Sequence, residues 1–78
     1  MQKIKLIWDF RGSSDVQTAT HYTKHLEEFF TEKNLELFEV GVETLNDFHQ
    51  LAFVVINIED IDVVKHALKP HRAFSLKN

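Results

Sequence analysis

The sequence has no cysteine, one proline and two glycines among its 78 residues. The lack of cysteine excludes disulfides, thiolate metal sites and a cysteine nucleophile. The longest unbroken apolar run, residues 51–56, is far shorter than the roughly 18 residues that a membrane-spanning helix needs. The alternating N-terminus also lacks the pattern of a signal peptide. We therefore expect one domain over residues 1–78, located in the cytoplasm, with no membrane partner.

The sequence also lacks an excess of positive charge, since nine Lys and Arg against twelve Asp and Glu give a formal net charge of −3. Nucleic-acid affinity depends on Lys and Arg that displace the counterions of phosphates, so we expect no nucleic-acid partner. The sequence does contain a core, because 44% of its residues are hydrophobic, including seven Phe. Chains of this size bury a modest fraction of their surface, which makes self-association a common means of stabilisation.

Hydrophobic periodicity predicts the element order β-α-β-β-α-β. This order is typical of the ferredoxin-like fold, or alpha-beta plait: an α+β domain with a four-stranded antiparallel sheet of order 4-1-3-2 and two helices on one face. The first half contains a strand whose inward residues are Ile4, Leu6, Trp8 and Phe10, and a helix that runs from Val16 to about Lys33 and stops at Asn34. A second strand has Phe38, Val40 and Val42 inward, and a third, 51–58, is apolar on both faces. The chain then forms a helix over 61–68, between Asp60 and Pro70, and a short strand over 71–76.

With both helices on one face, the other face of the sheet (the open face) is left uncovered. For the third strand, Leu51, Phe53, Val55 and Asn57 are the preferred outward set, and residues 52, 54, 56 and 58 are the alternative. Large apolar side chains on an open face indicate a partner surface, and a twofold homodimer is the commonest closed solution. The alternative is that long neighbours such as Lys5 and Glu39 shield this face. The predicted interface residues are Ile7, Leu37, Leu51, Phe53 and Val55.

Five histidines are present, and two of them share one face of the first predicted helix. His21 and His25 are separated by four residues, a spacing at which two imidazoles chelate one divalent ion, with Glu28 as a third ligand. The alternative is a solvated face with weak His–Glu pairing. No cofactor is expected unless this pair binds a metal. The three other histidines are expected to face solvent or to form local hydrogen bonds.

The turn after the first strand combines Asp9, Arg11, Gly12, Ser13 and Ser14. Free N–H groups at a helix start, two hydroxyls and an arginine are suited to an anion, although Asp9 and Asp15 would repel a phosphate. The alternative is a capping box in which Ser14 and Gln17 satisfy the helix start. No catalytic triad can be assembled by spacing, so no catalytic residue is assigned.

The stretch Ile7-Trp8-Asp9-Phe10-Arg11-Gly12, with the segments 18–21 and 25–29, resembles a small group of uncharacterised bacterial single-domain ferredoxin-like proteins. The resemblance covers roughly the first 30 residues and implies a similar first strand and a His-bearing first helix, but no activity.

The sequence as a whole favours a non-enzymatic interaction or ligand-binding module that self-associates through its open sheet face or binds another protein. The alternative is a small anion- or metal-binding protein or enzyme. Its site would lie around the turn after the first strand and the His21/His25 face. Because this fold carries many unrelated functions, fold arguments do not separate the two.

Overall fold

The computed structural model describes residues 2–11 and 16–76. Over these residues the chain forms four strands, two α-helices and one short 3-10 turn, and the predicted order β-α-β-β-α-β is confirmed. No helix in this described part is long and apolar enough to cross a membrane. The elements are β1 (Lys3–Arg11), α1 (Val16–Glu32), β2 (Leu37–Asn46), β3 (His49–Asn57), the 3-10 turn (Ile58–Asp60), α2 (Ile61–Leu68) and β4 (Arg72–Leu76).

The four strands form one sheet in the order β2-β3-β1-β4. Read from the other edge this is the predicted order 4-1-3-2, and every neighbouring pair is antiparallel. The two central strands, β1 and β3, contain the buried residues of the sheet, whereas no residue of the edge strands β2 and β4 is buried. The sheet therefore has its predicted layout.

The main core lies on one face of the sheet and receives side chains from both helices. Leu26 and Phe30 of α1 and Val64 of α2 pack there against buried residues of β1 and β3. The buried Trp8 also donates from its Nε1 to the carbonyl of Leu68, 2.8 Å away, which joins the end of α2 to β1. The residues of this core on the strands are Ile4, Leu6, Trp8, Ala52, Val54 and Ile56.

Helix α1 ends where the sequence predicts. Asn34 has a φ of 56°, and the N–H groups of Leu35 and Asn34 donate to the carbonyls of Phe30 and Thr31 at 3.0 and 3.2 Å. These are the paired bonds of a Schellman motif. Helix α2 also has its predicted bounds, but the Asp60 side chain forms no capping hydrogen bond in the described structure.

A β-bulge in β2 makes two predicted side-chain positions wrong. Leu37 pairs with Ile56 and Glu39 pairs with Val55, so Phe38 is an extra residue between them. A one-residue shift moves side chains to the other face. Leu37 therefore packs against the helix-side core rather than on the open face. Phe38 lies on the open face instead, with the Lys3 ammonium 4.3 Å from its ring centroid.

The open face is apolar at its centre, as predicted. Ile7, Leu51, Phe53 and Val55 form a second cluster there, which confirms the preferred outward set of the third strand. These four side chains are only 4% to 8% exposed within the single chain. Their burial therefore gives no reason to expect a second copy, and self-association through this face stays a prediction. The case for self-association now depends on Phe38 and Phe74, which are 38% and 50% exposed.

The apolar cluster of the open face is shielded by side chains of the same chain, through contacts that involve Lys5 and Gly41. The Phe53 ring lies over Gly41, where an added Cβ would come within 3.1 Å of two ring carbons. The Lys5 ammonium lies 4.3 Å from the centroid of the same ring and 2.9 Å from Glu43 Oε1. The predicted shielding by long neighbours therefore takes place through Lys5 and Glu43.

Gly41→Val is expected to displace the Phe53 ring and to lower the free energy of unfolding by about 1–3 kcal/mol, the usual cost of overpacking. Urea denaturation measures the change. Glu39→Val is the matched control, because it adds the same side chain to an exposed position on the same face of β2. Equal stability losses for the two variants would contradict the role given to Gly41.

Candidate functional site

Asp9 is the centre of a polar cluster at one end of the open face. In the sheet register Asp9 lies opposite Leu51, its neighbour Arg11 lies opposite His49, and Ile7 lies opposite Arg72. His49 and Arg72 are therefore diagonal neighbours of Asp9 on the two strands that flank β1, within reach of long side chains. The Asp9 side chain is only 10% exposed.

The Asp9 carboxylate binds both of these neighbours. The Asp9 Oδ1 atom lies 2.7 Å from His49 Nε2 and accepts from Arg72 Nη2 at 2.8 Å. Asp9 Oδ2 accepts from Arg72 Nε at 3.0 Å, so the arginine is bidentate. Charge-assisted hydrogen bonds of this kind are about twice as strong as neutral ones. The cluster therefore joins β1 to β3 and to β4.

These bonds keep Asp9 ionised. Burial raises the pKa of Asp9, but the hydrogen bonds and charges of His49 and Arg72 outweigh that effect, and its pKa is below the ordinary value. An ionised carboxylate can only accept hydrogen bonds. His49 Nε2 therefore carries a proton and donates it to Asp9, which leaves His49 Nδ1 as an acceptor in the neutral ring.

His71 joins the cluster through the backbone of Asp9. The Asp9 N–H donates to His71 Nδ1 at 2.9 Å, and the His71 N–H donates to the Ile7 carbonyl at 2.8 Å. Because His71 Nδ1 accepts, the ring proton lies on Nε2. His49 and His71 therefore have opposite free groups, an acceptor on His49 and a donor on His71.

Of the residues predicted in the turn, the structure brings Arg11 to this cluster. The register places Arg11 on the same face as Asp9, opposite His49, and its side chain is exposed. The Arg11 side chain forms no hydrogen bond or ion pair with any residue in 2–11 or 16–76. Ser13, Ser14 and the predicted capping box lie outside the described residues.

The sequence analysis missed His49, His71 and Arg72. Their bonds to Asp9 are not local, since they join positions 40 to 63 residues apart in the chain. The available signal was the strand order. In a 4-1-3-2 sheet the last residues of β1 lie beside the first residues of β3 and β4, which are His49 and Arg72.

The chain matches no protein-family model, no curated protein and no solved structure at a significant level. The chemistry of the site is therefore argued from its contacts.

The predicted metal residues lie on the other side of the sheet. α1 packs on the helix-covered face, so His21 and His25 do not form one site with Asp9. Their rings are in edge-to-face contact with centroids 4.8 Å apart, and His25 Nδ1 lies 3.6 Å from Glu28 Oε1. Among the described residues no group of three or more His, Cys, Asp or Glu is arranged to hold a metal ion. Metal binding by this pair stays a prediction.

Proposed function

We propose that the chain is a non-enzymatic ligand-binding protein that holds a small oxyanion beside Asp9. The observation that supports this is the surplus of basic groups around one buried carboxylate. Arg72 and His49 bind Asp9 on the open face, and the register places Arg11 on the same face two residues further along β1. The chain as a whole is acidic, with a formal net charge of −3, so the charge of this cluster is opposite in sign to that of the whole chain.

The net charge of the cluster favours the binding of an anion. Arg72 offsets the charge of Asp9, and the nearby Lys5 and Glu43 offset each other. Arg11 has no acidic partner among residues 2–11 and 16–76, and His49 adds a second positive charge when it is protonated. The repulsion of an anion by Asp9, an objection that the sequence raises, is therefore largely cancelled by its bidentate arginine.

Arg72 also keeps donors for a ligand. A guanidinium has five N–H groups, and Asp9 accepts from the Nε and Nη2 atoms only. The side chain is 42% exposed, and its guanidinium carbon lies 5.9 Å from the Phe74 ring centroid. Arginine in a fixed orientation is the residue best suited to planar recognition of carboxylates and phosphates.

The order of strands and helices supports assigning the domain to the ferredoxin-like type, and we propose the cytoplasm as its location. Self-association through the open face is a second proposal, supported by the exposed Phe38 and Phe74 side chains.

Inorganic phosphate is the probe that tests the oxyanion site. Titration followed by two-dimensional NMR is expected to show saturable shifts of the backbone signals at the end of β1 and the starts of β3 and β4. Arg11→Gln is expected to weaken this binding about tenfold, equivalent to roughly 1.4 kcal/mol, without changing the fold.

Lys24→Gln is the matched control, because Lys24 is exposed on α1, on the other side of the sheet. It is expected to bind phosphate like the unmodified protein. A lack of saturable shifts at high phosphate concentration, or equal weakening by the two variants, would contradict the proposed site.

A further inference from the structure

The hydrogen-bonding pattern of His49 determines what kind of oxyanion suits the site. Nε2 is committed to Asp9 at 2.7 Å. Nδ1 has no hydrogen-bond partner among residues 2–11 and 16–76. In the neutral ring Nδ1 is a lone-pair acceptor, and the His49 side chain retains 13% of its surface exposed. A ligand atom at Nδ1 must therefore donate a hydrogen.

The other free groups of the cluster are donors. Arg72 has unused guanidinium N–H groups, and His71 has its proton on Nε2 because Nδ1 accepts from the Asp9 backbone. Arg72 Nη2 and His49 Nε2 bind the same oxygen, Asp9 Oδ1, so the two side chains are immediate neighbours. A ligand bound beside Arg72 and His49 is therefore offered N–H donors for its charged oxygens and one acceptor, His49 Nδ1.

We infer that the site selects an oxyanion that carries its own hydroxyl group, such as hydrogen phosphate or a hydroxycarboxylate, over one that has none, such as sulfate or acetate. This inference rests on the proposed oxyanion site and names its ligand class. The hydroxyl donates to His49 Nδ1, and the charged oxygens accept from Arg72 and Arg11. An oxyanion without a hydroxyl places an oxygen lone pair against that of Nδ1, and a site built to hydrogen-bond a hydroxyl strongly rejects analogues that lack it.

Acidification reverses the role of Nδ1. His49 contacts the charged side chain of Asp9 on β1, and Arg72 of β4 binds the same oxygen. The register places Arg11 opposite His49 and Glu43, which pairs with Lys5, opposite Leu51, and Asp47 stands two positions before His49 in the chain. A second proton on the ring turns Nδ1 from an acceptor into a donor. Asp9 remains ionised at about pH 5 because its pKa is below the ordinary value. The preference for a hydroxyl should then disappear.

Calorimetric titration with phosphate and sulfate tests this inference. At about pH 8, where phosphate and sulfate are both mainly dianions, phosphate is expected to bind at least tenfold more tightly than sulfate. At about pH 5 the ratio is expected to fall further in the unmodified protein than in the His49→Lys variant described below, which corrects for the negative charge that phosphate itself loses between the two pH values. Glycolate against acetate is the second matched pair. A preference for glycolate at the higher pH supports the wider class of hydroxylated oxyanions, whereas equal binding of these two overturns the hydroxycarboxylate part.

His49→Lys provides an independent test. An ammonium retains the ion pair with Asp9 but can only donate, so sulfate is expected to bind this variant as tightly as phosphate at about pH 8. If the variant does not fold, the phosphate-to-sulfate and glycolate-to-acetate ratios of the unmodified protein at the higher pH decide. Equal binding of phosphate and sulfate at the higher pH overturns the inference but leaves the oxyanion site intact. Absence of binding by all four anions overturns the site itself.

Discussion

Phe30→Ala is expected to lower the free energy of unfolding by about 3–5 kcal/mol, the usual loss for a buried phenylalanine. Phe30 is 2% exposed and lies in the core between α1 and the sheet. Small proteins have roughly 0.05–0.15 kcal/mol of stability per residue, so this loss is a large part of the total for a chain of this length. Urea denaturation followed by circular dichroism measures it.

Phe48→Ala is the matched control for this core prediction. Phe48 lies in the turn between β2 and β3, where its side chain is 63% exposed. Surface substitutions usually change stability by at most about 0.5 kcal/mol. A similar loss at both positions would contradict the placement of Phe30 in the core.

The fold was predictable because its signals are local and redundant. Alternation in β1 and the 3.6-residue period of α1 and α2 each identify an element without reference to the others. The strand order then follows from the element order β-α-β-β-α-β, for which 4-1-3-2 is the usual arrangement. Asn34 adds an independent stop signal, since it takes the left-handed conformation that ends α1.

The bulge in β2 was not predictable in the same way. Leu37 and Phe38 are adjacent apolar residues, so either one could face the helices without changing the hydrophobic pattern. The pairing with β3 decides between them, and that pairing is a tertiary property. The predicted position of Leu37 on the open face was wrong for this reason.

The candidate site was half predictable. Asp9 and Arg11 were identified from the chemistry of one turn. His49 and Arg72 approach Asp9 only through the register of three strands that are not consecutive in the chain. A slip of one residue in either ladder would turn their side chains to the other face. Single residues at strand starts show no local pattern that reveals this.

Asp9→Asn is expected to lower the free energy of unfolding near neutral pH by about 2 kcal/mol. The amide keeps the shape of the side chain but loses the charge that two basic partners share, and its NH2 group cannot accept their hydrogen bonds. Removing one member of a buried pair costs roughly 3–5 kcal/mol. We expect a smaller loss of stability for Asp9→Asn because Arg72 is partly exposed, so that solvent screens its charge.

The pH dependence of this loss identifies its electrostatic origin. The folded pKa of Asp9 is lower than in the unfolded chain, so the stability from its charge is complete above about pH 5 and is lost as the pH falls through the folded value. The difference in unfolding free energy between the unmodified protein and Asp9→Asn should therefore shrink below about pH 4. Glu27→Gln, an exposed α1 residue, should show no such trend. A difference that stays constant from neutral to strongly acidic pH would contradict an electrostatic origin of the loss.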